Sequence, residues 1–367
     1  MGHPFYDALT ARIEALGGLH NAHTHIDRIG TLDPRYLEVS DPNLTLPQKH
    51  ALVARLHAGP AYDREDLRTR VNAALDEMIA CGTRRVESVV DCTTDRVGLT
   101  ALETLMQLAR DRASEITLSC AAYSPFGFSD ADPARWALLK KVAAHADLIG
   151  ALPEADDITR YPDRIGFEAS ISRFLDLAAR TGKALQIHLD QRNDPGESGT
   201  EALIRQMESL PPMQMPDGSP QVWAVHVISP STYDEARFQK LTEGLLRCNI
   251  GVICCPSGAL SMRQLRPIQT PTGNSIARVL EFAAAGVPVR LGTDNMADML
   301  SPSSTANLYD ELKILSPALR FYDTDILARF ATGTALSEDE RARLNAHLER
   351  DRDDVEAMVA ETAHTRP

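Results

Sequence analysis

Short apolar runs recur along the chain, bounded by polar and turn residues, and between them apolar positions return every three to four residues. The runs predict strands near Leu19–His23, Arg85–Asp91, Ile116–Tyr123, Leu148–Leu152, Ala184–Leu189, Val222–Val227, Ile250–Cys255 and Val287–Gly292. The stretches between them predict helices, for example Asp66–Ala80, Ala101–Arg112, Phe167–Arg180, Glu201–Ser209, Tyr233–Arg247 and Ser275–Ala285. Gly82, Gly182 and Gly286 each follow a helical stretch and precede an apolar run, which suits left-handed C-terminal caps. Eight strands, each followed by a helix or a long connection, predict a single α/β domain over 1–367, a (β/α)8 TIM barrel. A helix at about 5–16 precedes it, and a charged helical tail at about 337–364 follows. A doubly wound open sheet is the competing architecture, but it leaves the metal-type residues on separate strand ends without a reason. Two connections are long: Ile26 to about Asp63, with Pro34, Pro42, Pro47 and a short helix near Gln48–Leu56, and Pro256 to Asn274. Both are expected to rise from the rim as lids or binding walls.

Composition narrows the partners. With 367 residues, 43% hydrophobic and 24% charged, the chain reads as globular, and a net charge of −13 argues against nucleic acid. The six cysteines have no C-x-x-C spacing and read as buried reduced thiols. The N-terminal stretch is amphipathic and carries acids, unlike a targeting peptide, and no apolar run nears the ~20 residues that cross a bilayer. A cytoplasmic protein acting on a small molecule is expected, with neither nucleic acid nor membrane as partner and self-association left open.

The chemistry sits at the strand ends. His23 and His25 in HNAHTHID, His188 in LQIHLDQ, His226 in VWAVHVIS and Asp294 in VRLGTDN each close or follow a predicted strand. Parallel strands of a barrel end on one rim, so these side chains are expected to converge. In an extended strand His23 and His25 share one side while Thr24 faces away. Three imidazoles and a carboxylate suit one divalent ion, Zn2+ first, with Fe2+ or Mn2+ also compatible. Such an ion makes hydroxide available near neutral pH. Asp294 is expected to bind the ion and to accept the water proton; His226, if off the metal, holds or polarises the electrophile.

This pattern resembles the amidohydrolase superfamily, and within it the cytosine deaminase branch, over about residues 20–310. HTHID is similar to the H-x-H-x-D after that branch's first strand, ADLIGALPE (146–154) to its fourth-strand segment, and IHLDQ to its H-x-D-E except at the last position. AVHVIS and LGTDNMAD supply the later His and Asp, with STANL (304–308) at a matching place. The resemblance implies that His23, His25, His188 and Asp294 bind the metal and that His226 touches hydroxide or substrate.

Departures from the family pattern shape the expected reaction. Gln191 stands where the deaminases carry a proton-shuttling glutamate, and an amide moves no proton near neutral pH. The family's cytosine-reading glutamine has no counterpart in AAYSPFGF, around Pro125. His23 follows only 22 residues, so the flanking β-sandwich of the deaminases is expected to be missing. Cytosine is therefore not the expected substrate. The first expectation is hydrolysis of a non-peptide C–N bond (amide, lactam or imide) in a small, cyclic compound by metal-bound hydroxide, with Asp294 moving the proton, His226 assisting and Gln191 hydrogen-bonding the substrate. The alternatives are a deaminase of a heterocycle other than cytosine, with Asp190, Glu197 or a substrate group as the acid, and a silent barrel that binds metal and ligand.

Further candidates are Glu154, as a substrate contact, a bridging carboxylate or an outer brace, and Glu87, facing the mouth or in a buried ion pair. Arg263 and Arg266 are read as grips for a substrate carboxylate or as solvated loop charge, and Asn295 and Asp298 as lining or bracing the site. Asp190 is read as an orienting group. Cys254 and Cys255 read as a buried pair, and neither a G-x-S-x-G elbow nor a P-loop is present.

Overall fold

A computed structural model describes residues 2–36, 44–265, 268 and 273–365, with side chains as far as 361. Its strands are β1 (Leu19–Thr24), β2 (Thr83–Asp91), β3 (Thr117–Tyr123), β4 (Leu148–Ala151), β5 (Leu185–Leu189), β6 (Val222–His226), β7 (Ile250–Cys254) and β8 (Val289–Leu291). Each pairs in parallel with the next. The ring closes where the Asp294 N–H donates to the His23 carbonyl at 3.0 Å and the His25 N–H to the Asp294 carbonyl at 3.2 Å. This is the (β/α)8 barrel expected from the pattern, with every strand within two residues of its predicted bounds.

The helices are α1 (Pro4–Ala15) before the barrel, α2 (Leu46–Ala58) and α3 (Arg64–Ala80) after β1, α4 (Thr100–Asp111) after β2 and α5 (Ala134–Ala143) after β3. Then come α6 (Phe167–Thr181), α7 (Gly199–Met207) and α8 (Glu235–Arg247), one after each of β4, β5 and β6. The short α9 (Pro256–Leu260) and α10 (Val279–Ala285) follow β7, and α11 (Leu308–Leu319), α12 (Thr324–Thr332) and α13 (Glu338–Thr365) follow β8. Gly82, Gly182 and Gly286 have φ of 86°, 66° and 104°, the left-handed geometry expected of them. The helix expected over Ser275–Ala285 is shorter than its apolar period. Ser275 is itself left-handed (φ 58°), the Asn274 side chain accepts from the Ile276 N–H at 3.1 Å, and the helix begins only at Val279. Helix α13 buries Leu344 near its start, while Val355, Met358 and Val359 are exposed.

Apolar side chains form a layer between sheet and helices, and two smaller groups fill the barrel itself, around Trp223 and Val225 and around Val89 and Tyr123. Below the mouth the filling turns polar. Glu87 accepts from His20 at 3.0 Å and from Gln186 Nε2 at 2.6 Å, and Arg290 lies 3.5 Å away, stacked 3.8 Å over Trp223. Of the two readings of Glu87, the ion pair is the one observed, and it is partly rather than fully buried.

Closure leaves no room at Gly292. A Cβ there would meet the His23 carbonyl oxygen at 2.7 Å and the His23 Cβ at 2.9 Å. Gly292→Ala is expected to cost about 1–3 kcal/mol by overpacking a backbone contact that cannot move aside. A shift in the urea midpoint smaller than the scatter between repeat wild-type titrations would contradict it.

Candidate active site

Four ligand-type atoms meet at the mouth, all on residues that are at most 5% exposed. The Nε2 atoms of His23 and His188 are 3.1 Å apart, and Asp294 Oδ1 is 3.7 Å from His23 Nε2 and 3.4 Å from His25 Nε2. Two overlapping groups have donor atoms within 4.8 Å of one another: His23, His188 and His226, and His23, His25 and Asp294.

The remaining ring nitrogens dictate the tautomers. His23 Nδ1–H donates to Gln186 Oε1 at 2.7 Å, and His188 Nδ1–H donates to the Ala151 carbonyl at 2.9 Å. Both Nε2 atoms therefore present lone pairs to each other at 3.1 Å with no proton between them, a repulsive contact that a cation resolves. The donor set fits a divalent ion on this ground. Burial holds the imidazoles neutral: His25 and His188 are pushed well below the ordinary value, and His226 down to about 4. Burial alone would raise the Asp294 carboxyl, but the surrounding imidazoles, His23 first and then His226 and His25, outweigh it and hold the carboxyl well below the ordinary carboxylate range.

Backbone strain gathers at the same place. Asp190 (φ 57°), His226 (φ 78°) and Asp294 (φ 60°) are left-handed without being glycine. Along β1 the pairing register shifts between Asn21 and Thr24. Thr24 turns to the Glu87 carbonyl at 3.1 Å, while Ala22 packs against Trp223 inside the barrel.

A cavity of about 730 Å³ opens above the cluster, lined among others by His25, His188, Gln191, His226, Asp294 and Asn295. Arg263 lines it too; Arg266 lies outside the described residues. Gln191 Nε2 and His226 Nδ1 are buried without a hydrogen-bond partner, so both have capacity for a ligand. Asn295 Nδ2 donates to Asp294 Oδ1 at 3.1 Å, and Asp298 accepts from the Leu300 and Ser301 N–H groups. Asp190 accepts from the Gly199 and Thr200 N–H groups at 2.6 and 2.9 Å, anchoring the start of α7. Glu154 lines a neighbouring polar cavity of about 210 Å³ with Asp190, Arg192 and Glu197, and its carboxyl is raised by burial and by the Glu197 charge. Cys254 and Cys255 are buried, and burial pushes the Cys254 thiol up to about 12.

Sequence reasoning missed the residues that the β1–β2 connection brings in. Arg28 lines the cavity and grips Asp91 with two bonds, 2.6 and 3.0 Å. Asp91 also accepts from Tyr62 at 2.6 Å and from His57 Nε2 at 2.9 Å, while its own N–H donates to Asp27 at 3.0 Å. Partners 29 to 64 residues apart leave no local motif. His57 donates from its other nitrogen to Asp95 at 2.7 Å, pinning α2 over the mouth. Burial would lower this imidazole, but the two carboxylates raise it from 6.5 to about 9. The contribution of His57 to stability is therefore complete below its unfolded value of 6.5 and is lost as pH rises through about 9. Urea midpoints at pH 6.5 and 9.5 should fall in that order, by less in His57→Gln; equal slopes in both proteins would contradict the assignment.

No protein-family model matches the chain. A pterin deaminase of Rhizobium rhizogenes is 23% identical over 266 residues, 72% of this chain, and the chain spans only 56% of that relative's length. Among solved structures, 5-methylcytosine deaminase from Klebsiella pneumoniae, liganded with phosphonocytosine, superposes with a TM-score of 0.73 at 23% identity, covering 90% of this chain and 75% of that one. N-isopropylammelide isopropylaminohydrolase from Burkholderia multivorans follows with a TM-score of 0.66 at 19% identity, covering 90% and 82%. At the level of fold, these neighbours agree with the resemblance to deaminase-type amidohydrolases.

Proposed function

We propose that the chain is a metal-dependent hydrolase of a non-peptide C–N bond in a small nitrogen heterocycle, releasing ammonia or an amine. The observation that carries this reading is the facing pair of imidazole lone pairs beside the ionised Asp294, a geometry that a cation stabilises. His23, His25, His188 and Asp294 would hold one divalent ion, Zn2+ by its preference for imidazole with a carboxylate. Such an ion supplies Lewis acidity and lowers the pKa of a bound water to about 7.

The chain's own groups divide the remaining work. The Asp294 carboxylate accepts a proton from the attacking water as the new C–O bond forms. His226, neutral and with a partnerless Nδ1, faces the reacting carbon's substituents and steadies the growing charge. The proton taken by Asp294 passes to the leaving nitrogen as the C–N bond breaks, so water and heterocyclic amine become the hydroxy (oxo) heterocycle and free amine. Gln191 Nε2 donates to a ring or carbonyl acceptor. The relatives named as deaminases and an aminohydrolase support amine release over ring opening. Opening of a cyclic amide is the second reading, favoured by Gln191, since it needs no proton on a ring nitrogen.

The test is the protein loaded with Zn2+, incubated with aminated pyrimidines, triazines and pterins and with lactams and imides, and assayed for amine release and ring opening. Amine release that vanishes on chelation and returns with Zn2+ is expected; full activity in protein freed of metal would sink the proposal. Gln191→Glu, which restores an acid at this place, is expected to raise amine release by roughly 10-fold or more from an aminated ring whose nitrogen must be protonated. An unchanged rate would show that no acid is wanted there.

A further inference from the structure

We infer that the preferred substrate is an aminated heterocycle bearing a carboxylate, its ring at the histidine cluster and its carboxylate held at the rim by Arg160 and Lys49. This rests on the hydrolase reading above and names the substrate class of the same site. The chain carries a net charge of −13, yet the cavity above the histidine cluster is lined by five cations: Arg28, Lys49, Arg160, Arg192 and Arg263. Among the described lining residues the only carboxylate is Asp294, which the ion would engage.

Arg28 and Arg192 sit in short ion pairs, with Asp91 at 2.6 Å and with Glu197 at 2.5 Å. Lys49 and Arg160 are differently placed. Among the described residues, Lys49 donates to the Leu300 carbonyl at 3.2 Å, and Arg160 stands 4.0 Å from Asp157. Like charges also crowd one another here. The Lys49 ammonium is lowered by burial; Asp298 pulls the other way, and the Arg263 charge adds a smaller lowering. His50, beside Lys49 on α2, is held down to about 4 by burial and by the charges of Arg28 and Arg160. A bound ion would add further positive charge. A carboxylate relieves this crowding, and an arginine fork with an ammonium recognises it. A cavity of about 730 Å³ falls in the range of roughly 300–1,000 Å³ that takes ligands larger than one ring, leaving room for the acidic arm.

Aminopyrimidine, aminotriazine and pterin rings, each as parent and as carboxylate derivative, are compared by kcat/KM with Zn2+-loaded protein. The carboxylate is expected to be favoured at least ten-fold at low salt, and the ratio to fall ten-fold in Arg160→Gln or Lys49→Met, each checked for an intact melting transition. Binding is read separately on metal-free protein with pyrazine-2-carboxylate against pyrazine-2-carboxamide. The acid alone should raise Tm, and salt or Arg160→Gln should abolish the shift. If parents and acids are hydrolysed equally and neither probe shifts Tm, the inference is overturned while the hydrolase reading stands. If the acid shifts Tm but no ring loses amine, the anion site stands and the hydrolase reading falls. Failure of both overturns both.

Discussion

With asparagine at 294, metal content is expected to drop from about one ion per chain to a small fraction of that, and turnover to fall by at least about 10³-fold. The amide keeps the shape of the side chain and loses two things together. On the proposed reading it removes the one anionic ligand from among the histidines, together with the only carboxylate among the described residues lining the cavity. Asn295 Nδ2, which donates to Asp294 Oδ1 at 3.1 Å, would also meet a second amide in place of a charge. Elemental analysis and the amine-release assay check the two losses independently. A variant that kept a full equivalent of zinc and wild-type turnover would remove Asp294 from both roles.

Asp91→Asn should be the most destabilising single change among the described residues outside the histidine cluster, at about 3–5 kcal/mol. Arg28 is 1% exposed and Asp91 fully buried, so neutralising the carboxylate strands an arginine in low dielectric. The Tyr62 and His57 bonds to the same carboxylate weaken together. Because Arg28 lines the cavity and His57 anchors α2 above it, activity should decline at temperatures where the global fold persists. Urea unfolding measures the first effect and the temperature dependence of turnover the second. A loss under about 1 kcal/mol would mean that water reaches the pair.

The strands and the metal-type residues could be read from the sequence because both are local signals. A buried parallel strand is a short apolar run, and His23, His188, His226 and Asp294 mark where such runs end. The phase of those ends could not be read. Simple alternation puts Ala22 and Thr24 on one side and His23 and His25 on the other, yet Ala22 packs inside the barrel and His23 still reaches the mouth. The register shift in β1 and the left-handed His226 supply the missing rotation, and neither leaves a compositional trace. The helix expected from Ser275 failed for a related reason, since a left-handed serine interrupts an unbroken apolar period. The cationic lining was also hidden: Lys49, Arg160 and Arg192 come from three connections, and nothing in their immediate neighbours sets them apart from surface charge. Gln186 looked like an unremarkable strand residue, although it sets the tautomer of His23.

The left-handed backbone at His226 and Asp294 sets robustness against chemistry at the same two positions. Glycine adopts φ values of 78° and 60° freely, and asparagine tolerates them better than histidine. A library screened only for heat resistance should therefore enrich Gly or Asn at 226 and 294, and those clones should be hardy and inert. Evolution toward a faster enzyme has to conserve this tension, so gains in durability must be sought elsewhere, on the outer helices.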